Sequence, residues 1–264
     1  MKSLLLALAL LPLGLCHGAD SVGALTPPIP GPFAAVPDFK AKFGFGWSGI
    51  QAAEATTVLK HEGKYLHVKV EGGSTGMARS LWQLDAVHDA YIDAKTLRPV
   101  SVDQLEKYSD RSVVSTIRYT PEQVWYMRDV SVDKGKKARW KSIKIPNVFD
   151  ILSAVIFVRS MPLNNGDKIR LICFPDSSPF VGQVNVLGRE TIQAMGKSVN
   201  AIHVRMDISK IETSHGKIDK VVAYSKFKSG EVWISDDDRR IPLKARVNIF
   251  VGYIYGEIIS YDKL

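Results

Sequence analysis

From Asp38 onward the chain alternates apolar and polar residues with period two, the spacing that sends neighbouring side chains to opposite faces of a β-strand. Phe39, Ala41, Phe43, Phe45 and Trp47 alternate with Lys40, Lys42, Gly44 and Gly46. Leu66, Val68 and Val70 alternate with His67, Lys69 and Glu71, after the turn-forming HEGK at 61–64. Ile202, Val204, Met206 and Ile208 repeat the pattern, and Ile241, Leu243, Ala245, Val247, Ile249 and Val251 extend it furthest. Shorter segments at 54–60, 86–92, 99–106, 112–119, 123–129, 168–174, 180–187, 221–227 and 253–261 lie between turn clusters such as YSDR, NNGD, PDSSP and MGK. Together these predict about a dozen strands. One-face alternation with short connections predicts antiparallel pairing, because parallel neighbours need long crossovers.

Two segments depart from this period. Residues 77–84, MARSLWQL, predict a short helix after the glycine-rich GGSTG. Residues 148–160, VFDILSAVIFVRS, predict a stronger one, with Asn147 as cap, Asp150 in the first turn where the helix dipole favours an anion, and Pro162 preventing continuation. Its apolar residues run nearly all round, so it should be buried against the sheet. The expected fold is mainly β: a single curved antiparallel sheet or half-open barrel with one buried helix and one short helix, spanning 38–264 as one domain.

The first residues follow other rules. MKSLLLALALLPLGLCHG carries Lys2 and then an apolar run, Leu4 to Leu15, too short to span a bilayer. Residues 1–18 are therefore expected to be a signal peptide. Cys16 and Gly18 supply the small residues that soluble release needs, while LGLC resembles a lipobox and makes Cys16 the candidate lipidation residue. Residues 19–37 include TPPIPGPFAAVP, with five of the 13 prolines, and are expected to form an extended tether. The expected location is the envelope: periplasmic, or lipid-anchored if Cys16 is modified. No other stretch is long and apolar enough to be a membrane span.

Losing Lys2 with the signal takes Lys+Arg from 35 to 34 against 27 Asp+Glu, leaving about +7. An exported basic protein is not expected to meet nucleic acid; anionic headgroups or glycans are the natural counterparts. KGKKARWKSIK at 134–144 concentrates this charge around Trp140. It reads either as a solvated loop or as a peripheral membrane contact with Trp140 at the boundary. Cys173 has no second thiol in the mature chain and lies among apolar residues in IRLICF, as a buried inert thiol would.

Three motifs resemble chemistry. GFGWSG at 44–49 spells G-x-G-x-x-G, but its first glycines belong to an alternating strand and no βαβ alternation follows, so no nucleotide cofactor is expected. GGSTG at 72–76 spells G-x-S-x-G between a strand and a helix, which makes Ser74 the candidate nucleophile of a serine hydrolase with His203 or His215 as base. That elbow belongs to parallel sheets flanked by helices, and the crossovers are missing here. The histidines show no ligand spacing, so no metal is expected. Finally, Asp236, Asp237, Asp238, Arg239 and Arg240 sit between two strand-like segments in VWISDDDRRIPLKARV. A hairpin whose aspartates bond turn amides, and whose arginines answer their charge, is the simpler reading.

FGFGWSGI, YIDAKTLRP, FDILSAVIFVRSMPLNNGD, VNVLGRE and VWISDDDRRIPLKA occur in that order across nearly all of 38–264. This combination resembles an exported bacterial family known as domain of unknown function number 3108. The region 130–145 departs from it in being longer and more basic. The resemblance implies no activity, so no catalytic residue is carried over. The strand pattern is also similar to the half-open barrels of periplasmic lipoprotein carriers. The expected role is non-catalytic binding of an apolar ligand, a lipid or acyl chain, or of an envelope protein partner. A serine hydrolase using Ser74 and a structural assembly protein are the alternatives. Asp150, Arg159, Asp236, Asp237, Arg239, Arg240 and Trp140 are the candidate structural or interaction residues.

Overall fold

The computed structural model describes residues 22–131, 138–224, 229–249 and 252–264. The signal segment with Cys16, residues 134–137 of the basic run, residues 225–227 of one expected strand and residues 250–251 of another lie outside the described residues. Among the described residues the alternating series pair into one 16-stranded sheet. β1 (Phe39–Trp47), β2 (Ile50–Glu62), β3 (Tyr65–Ser74), β4 (Leu84–Asp93), β5 (Pro99–Tyr108), β6 (Ser112–Tyr119), β7 (Val124–Val130) and β8 (Lys141–Ile143) form an antiparallel meander, with α1 (Gly76–Leu81) between β3 and β4. β9 (Val148–Phe149) leads into α2 (Ile151–Ser160) and pairs in parallel with β10 (Lys168–Cys173). β11 (Phe180–Ala194), β12 (Lys197–Ser214), β14 (Ser229–Ser235), β15 (Pro242–Asn248) and β16 (Tyr253–Lys263) carry the sheet back to β1, with β13 (Lys217–Ala223) branching off β12. The strand count exceeds the expected dozen partly because β8 and β9 are too short to display alternation.

The sheet is open but curved. At about 4.8 Å between neighbours its main path would be roughly 65 Å wide if flat. Its two edges, β8 and β9, are nevertheless consecutive in the chain. The link from Ile143 to Val148 spans at most about 18 Å, so the edges must roll towards each other. Both ends of the main path are short strands, which limits the unpaired backbone there, while β13 pairs on one side only, with β12.

The helix lies inside this curve, and its start differs from the sequence expectation. Val148 and Phe149 are used as β9, and the N-cap is Asp150 rather than Asn147. The fully buried Asp150 carboxylate accepts bonds from Leu152 N (2.8 Å) and Ser153 N (3.0 Å), while Ser153 Oγ accepts from Asp150 N (3.0 Å). This reciprocal capping box satisfies amides that the low-dielectric interior would otherwise strand. Asn147 instead takes a left-handed backbone (φ 58°) and accepts from Arg98 Nη1. Ile156, Phe157 and Val158 pack with Leu59, Leu66 and Ile92 of the first meander and with Ile169, Val184 and Ile202 of the second, so α2 joins the two halves.

The tether expected over 19–37 is docked over its described part. Val22 and Val36 are buried, Thr26 N bonds Arg170 O, and Arg170 N bonds Thr26 Oγ1. Phe33 N donates to Ser160 O and Gly31 N to Ser160 Oγ. The reason is complementary: proline leaves few amides to satisfy, and those remaining meet the open C-terminal end of α2. The folded part therefore begins before Asp38.

At Gly31 an added Cβ would sit 2.3 Å from Ser160 O, too close for any side chain. Gly31→Val should lower the unfolding free energy by about 1–3 kcal/mol, the usual cost of overpacking, in urea titrations. An unchanged midpoint would mean that the strap is not docked in solution.

Candidate functional site

Between α2 and the strands facing it lies a hollow of about 450 Å³, within the roughly 300–1,000 Å³ of small-molecule sites. β1 lines it with the alternating series visible in the sequence: Phe39, Ala41, Phe43 and Phe45. Thr57 and Leu59 of β2, and Val68 and Val70 of β3, continue the wall. Opposite stand Ile151, Leu152, Val155 and Ile156 of α2. Val36 and Pro37 of the strap, Val232 of β14, Ile241, and Pro242, Leu243 and Ala245 of β15 complete the apolar lining. Gly256 makes room for one wall, since a Cβ there would meet the Phe45 ring at 2.9 Å. Phe45, Ile151 and Val155 are 38%, 51% and 44% exposed, so the hollow opens to solvent beside them.

The charged residues that border this otherwise apolar lining are Arg159, Arg239, Arg240 and Lys244, the last paired with Glu257 at 2.8 Å. Arg159 is buried and Nη2 donates to Arg239 O (2.9 Å) and Ala35 O (3.3 Å). Nη1 has no hydrogen-bond partner among the described residues, and no carboxylate there lies within ion-pair distance of Arg159. Arg240 is also buried. Its guanidinium lies 4.2 Å over the Phe33 ring and Nη2 donates to Pro162 O (3.3 Å), while Nη1 reaches only to 3.8 Å from Asp236. Burial lowers the pKa of both guanidinium groups from the usual arginine value, and for Arg159 the charge of Arg240 adds to it. Both still carry their charge at neutral pH. Tyr261, stacked on Phe39 at 5.3 Å, closes this end, and burial raises its phenol pKa.

The DDDRR segment divides into two tasks. Asp237 organises the turn: its carboxylate accepts from Ser235 Oγ (2.8 Å), Arg239 N (3.1 Å) and Arg240 N (3.3 Å), and pairs with the Arg239 guanidinium. Asp236 pairs with Arg189 at 3.2 Å. Arg240, in a left-handed backbone conformation (φ 49°), turns away from the hairpin towards α2 and the strap. Residues 159 and 239–240 thus converge from distant positions. Phe33 was missed by sequence reasoning, since a proline-rich stretch gives no sign of docking.

The remaining candidates stand apart. Ser74 is buried, and its Oγ accepts from Leu84 N (3.1 Å), closing the excursion from β3 through α1 to β4. The five described histidines have other neighbours: His61 bonds Asp38, His67 bonds Glu62 and Asp89, His88 bonds Gln104, His203 Nδ1 lies 3.3 Å from Glu190, and His215 bonds Ser214. Ser48 and Gly49 both have positive φ, so GFGWSG is the end of β1 followed by the tight two-residue turn into β2. Trp140 is half exposed beside β8 and away from the hollow. Cys173 is enclosed at its thiol, and burial pushes it up to about 12. Among the described residues no group of three or more His, Cys, Asp or Glu side chains is placed to hold a metal. No described helix is long and apolar enough to cross a membrane.

The family model described as "Protein of unknown function (DUF3108)" matches residues 38–258. The chain belongs to this family. No curated protein sequence matches this DUF3108 chain. Among solved structures it is similar to a β-barrel-like protein of domain of unknown function DUF1849 from Brucella abortus, at TM-score 0.56 and 10% identity, covering 87% of this chain and 98% of that one. A structure from Parabacteroides distasonis ATCC 8503, described as a "putative lipoprotein", aligns at TM-score 0.35 and 9% identity over 90% of this chain and 100% of that one. The first likeness is one of fold.

Burial opposes the charge on Asp237, but its bonds to Arg239 and Ser235 outweigh that and hold its pKa below the ordinary 3.8. Its charged form therefore stabilises the fold above that value, and the contribution is lost as pH falls through the lowered folded-state pKa. Asp237→Asn should lower the melting temperature at pH 7 and narrow the gap to wild type as the medium is acidified below pH 4. A constant gap across that range would exclude the proposed charge role.

Proposed function

We propose that this DUF3108 protein is an exported, non-catalytic binding protein that holds an apolar chain, such as a lipid or acyl group, between α2 and β1. The observation that carries this reading is the hollow itself, apolar along β1 and α2 and open beside Phe45, Ile151 and Val155. A cavity lined by packed hydrocarbon and open to water favours an occupant that removes apolar surface from solvent, at about 0.8 kcal/mol for each buried methylene. The apolar run Leu4–Leu15 supports an envelope location, periplasmic or lipid-anchored through Cys16. Ser74 serves no hydrolase in this reading, because its hydroxyl is occupied by the Leu84 backbone.

Protein stripped of lipid should enhance the fluorescence of the uncharged probe N-phenyl-1-naphthylamine saturably. Straight-chain alcohols should displace it with an affinity rising up to about tenfold for every two added methylenes. Val155→Trp, at a half-exposed position of the mouth, should weaken probe binding about tenfold with little loss of stability. Absence of saturable binding, or indifference to both chain length and Val155→Trp, would eliminate the hollow as a ligand site.

A further inference from the structure

Ile151, Val155 and Arg159 are spaced four residues apart and share one stripe of α2, about 12 Å from first to last. All three line the hollow, and the stripe runs from half-exposed aliphatic side chains to a buried cation. Asp236, Asp237 and Asp238 all lie near enough to act on Arg240, and Asp237 acts on Arg159, but close pairing is lacking. Asp236 is held at 3.2 Å by Arg189, and Asp237 is engaged by Arg239. Arg240 is left with a 3.8 Å share of Asp236, and Arg159 has no carboxylate within ion-pair distance among the described residues. Arg159 Nη1 and Arg240 Nε and Nη1 are buried without hydrogen-bond partners among the described residues. Buried donors and charges in proteins are normally paired, so this arrangement lacks an anion with several acceptor oxygens.

We infer that the ligand is an anionic amphiphile, its carboxylate or phosphate headgroup paired with Arg159 and Arg240 and its chain laid along the Ile151–Val155 stripe towards the open mouth. This rests on the hollow being a site for an apolar chain, and adds what the other end of the molecule must carry. Arginine suits the task because its planar donors match carboxylate and phosphate oxygens, and because it tolerates burial better than an ammonium group.

Four probes of equal chain length separate the two ideas: hexadecanoate, hexadecyl phosphate, hexadecanol and hexadecyltrimethylammonium, each competing against N-phenyl-1-naphthylamine on stripped full-length protein. Both anions should compete at least about tenfold better than the alcohol, and the cation should be poorest. The ratio between the two anions tells a fatty-acid headgroup from a phospholipid-type one. Arg159→Met should cut the anion-to-alcohol ratio at least about threefold, Arg240 still supplying part of it, and Arg159→Lys should retain most of the wild-type ratio. If Arg159→Met does not fold, the wild-type ratio still decides. Hexadecanol equalling the anions, or an anion preference undiminished in folded Arg159→Met, would overturn the inference and leave the apolar site standing. Failure of all four chains to bind would overturn both.

Discussion

β8 and β9 are the edges of the sheet and also consecutive strands of the chain, so the short link over 144–147 obliges a broad sheet to curl. Much of the concave side follows from that. A curved sheet presents one row of side chains per strand to its inside, and these alone leave space to be filled. α2 fills most of it, entering directly from the edge strand β9. Its position depends on Asp150, whose buried carboxylate ends the strand and caps the helix within a single residue. A capped helix can be buried at its N-terminus where an uncapped one would leave amides unsatisfied. The strap over 22–37 performs the matching task at the other end, supplying N–H groups to Ser160.

The filling is incomplete along one side of the helix. Phe157 and Phe149 pack at 4.9 Å within the main core, whereas Ile151 and Val155 stay about half exposed at the opening. Packing density in protein interiors leaves few voids larger than a water molecule. A hollow of about 450 Å³ bordered by two buried arginines is therefore a costly feature for stability alone. That cost is the physical ground for reading it as a site.

The DDDRR hairpin illustrates why a charge-rich motif should be divided before it is interpreted. Asp237 is bonded inside the turn, and its substitution tests turn stability. Arg240 leaves the turn and stacks on Phe33, a residue more than two hundred positions earlier. The same five residues thus fasten the hairpin and deliver cations to the end of the hollow, and only the direction of each side chain separates the two tasks.

Much of the architecture was legible locally. Alternation over 39–47, 66–70, 202–208 and 241–247 identified strands and, in β1, the face that lines the hollow, because a period of two is a property of the backbone and needs no partner. The buried helix was legible for the same reason, from apolar residues all round and a proline beyond its end. Its true cap was not, since Asn147 and Asp150 are both good capping residues and the choice depended on Val148 and Phe149 being claimed by β10. The docking of the proline-rich strap was equally hidden, because its partners, Ser160 and Arg170, lie more than a hundred residues away. Sequence by itself determined most of the strands, the faces of the clearest ones, the helix and the family. Tertiary structure decided the roll of the sheet, the hollow and the meeting of Arg159 with Arg240, because those depend on which distant surfaces find one another once the edges are tied.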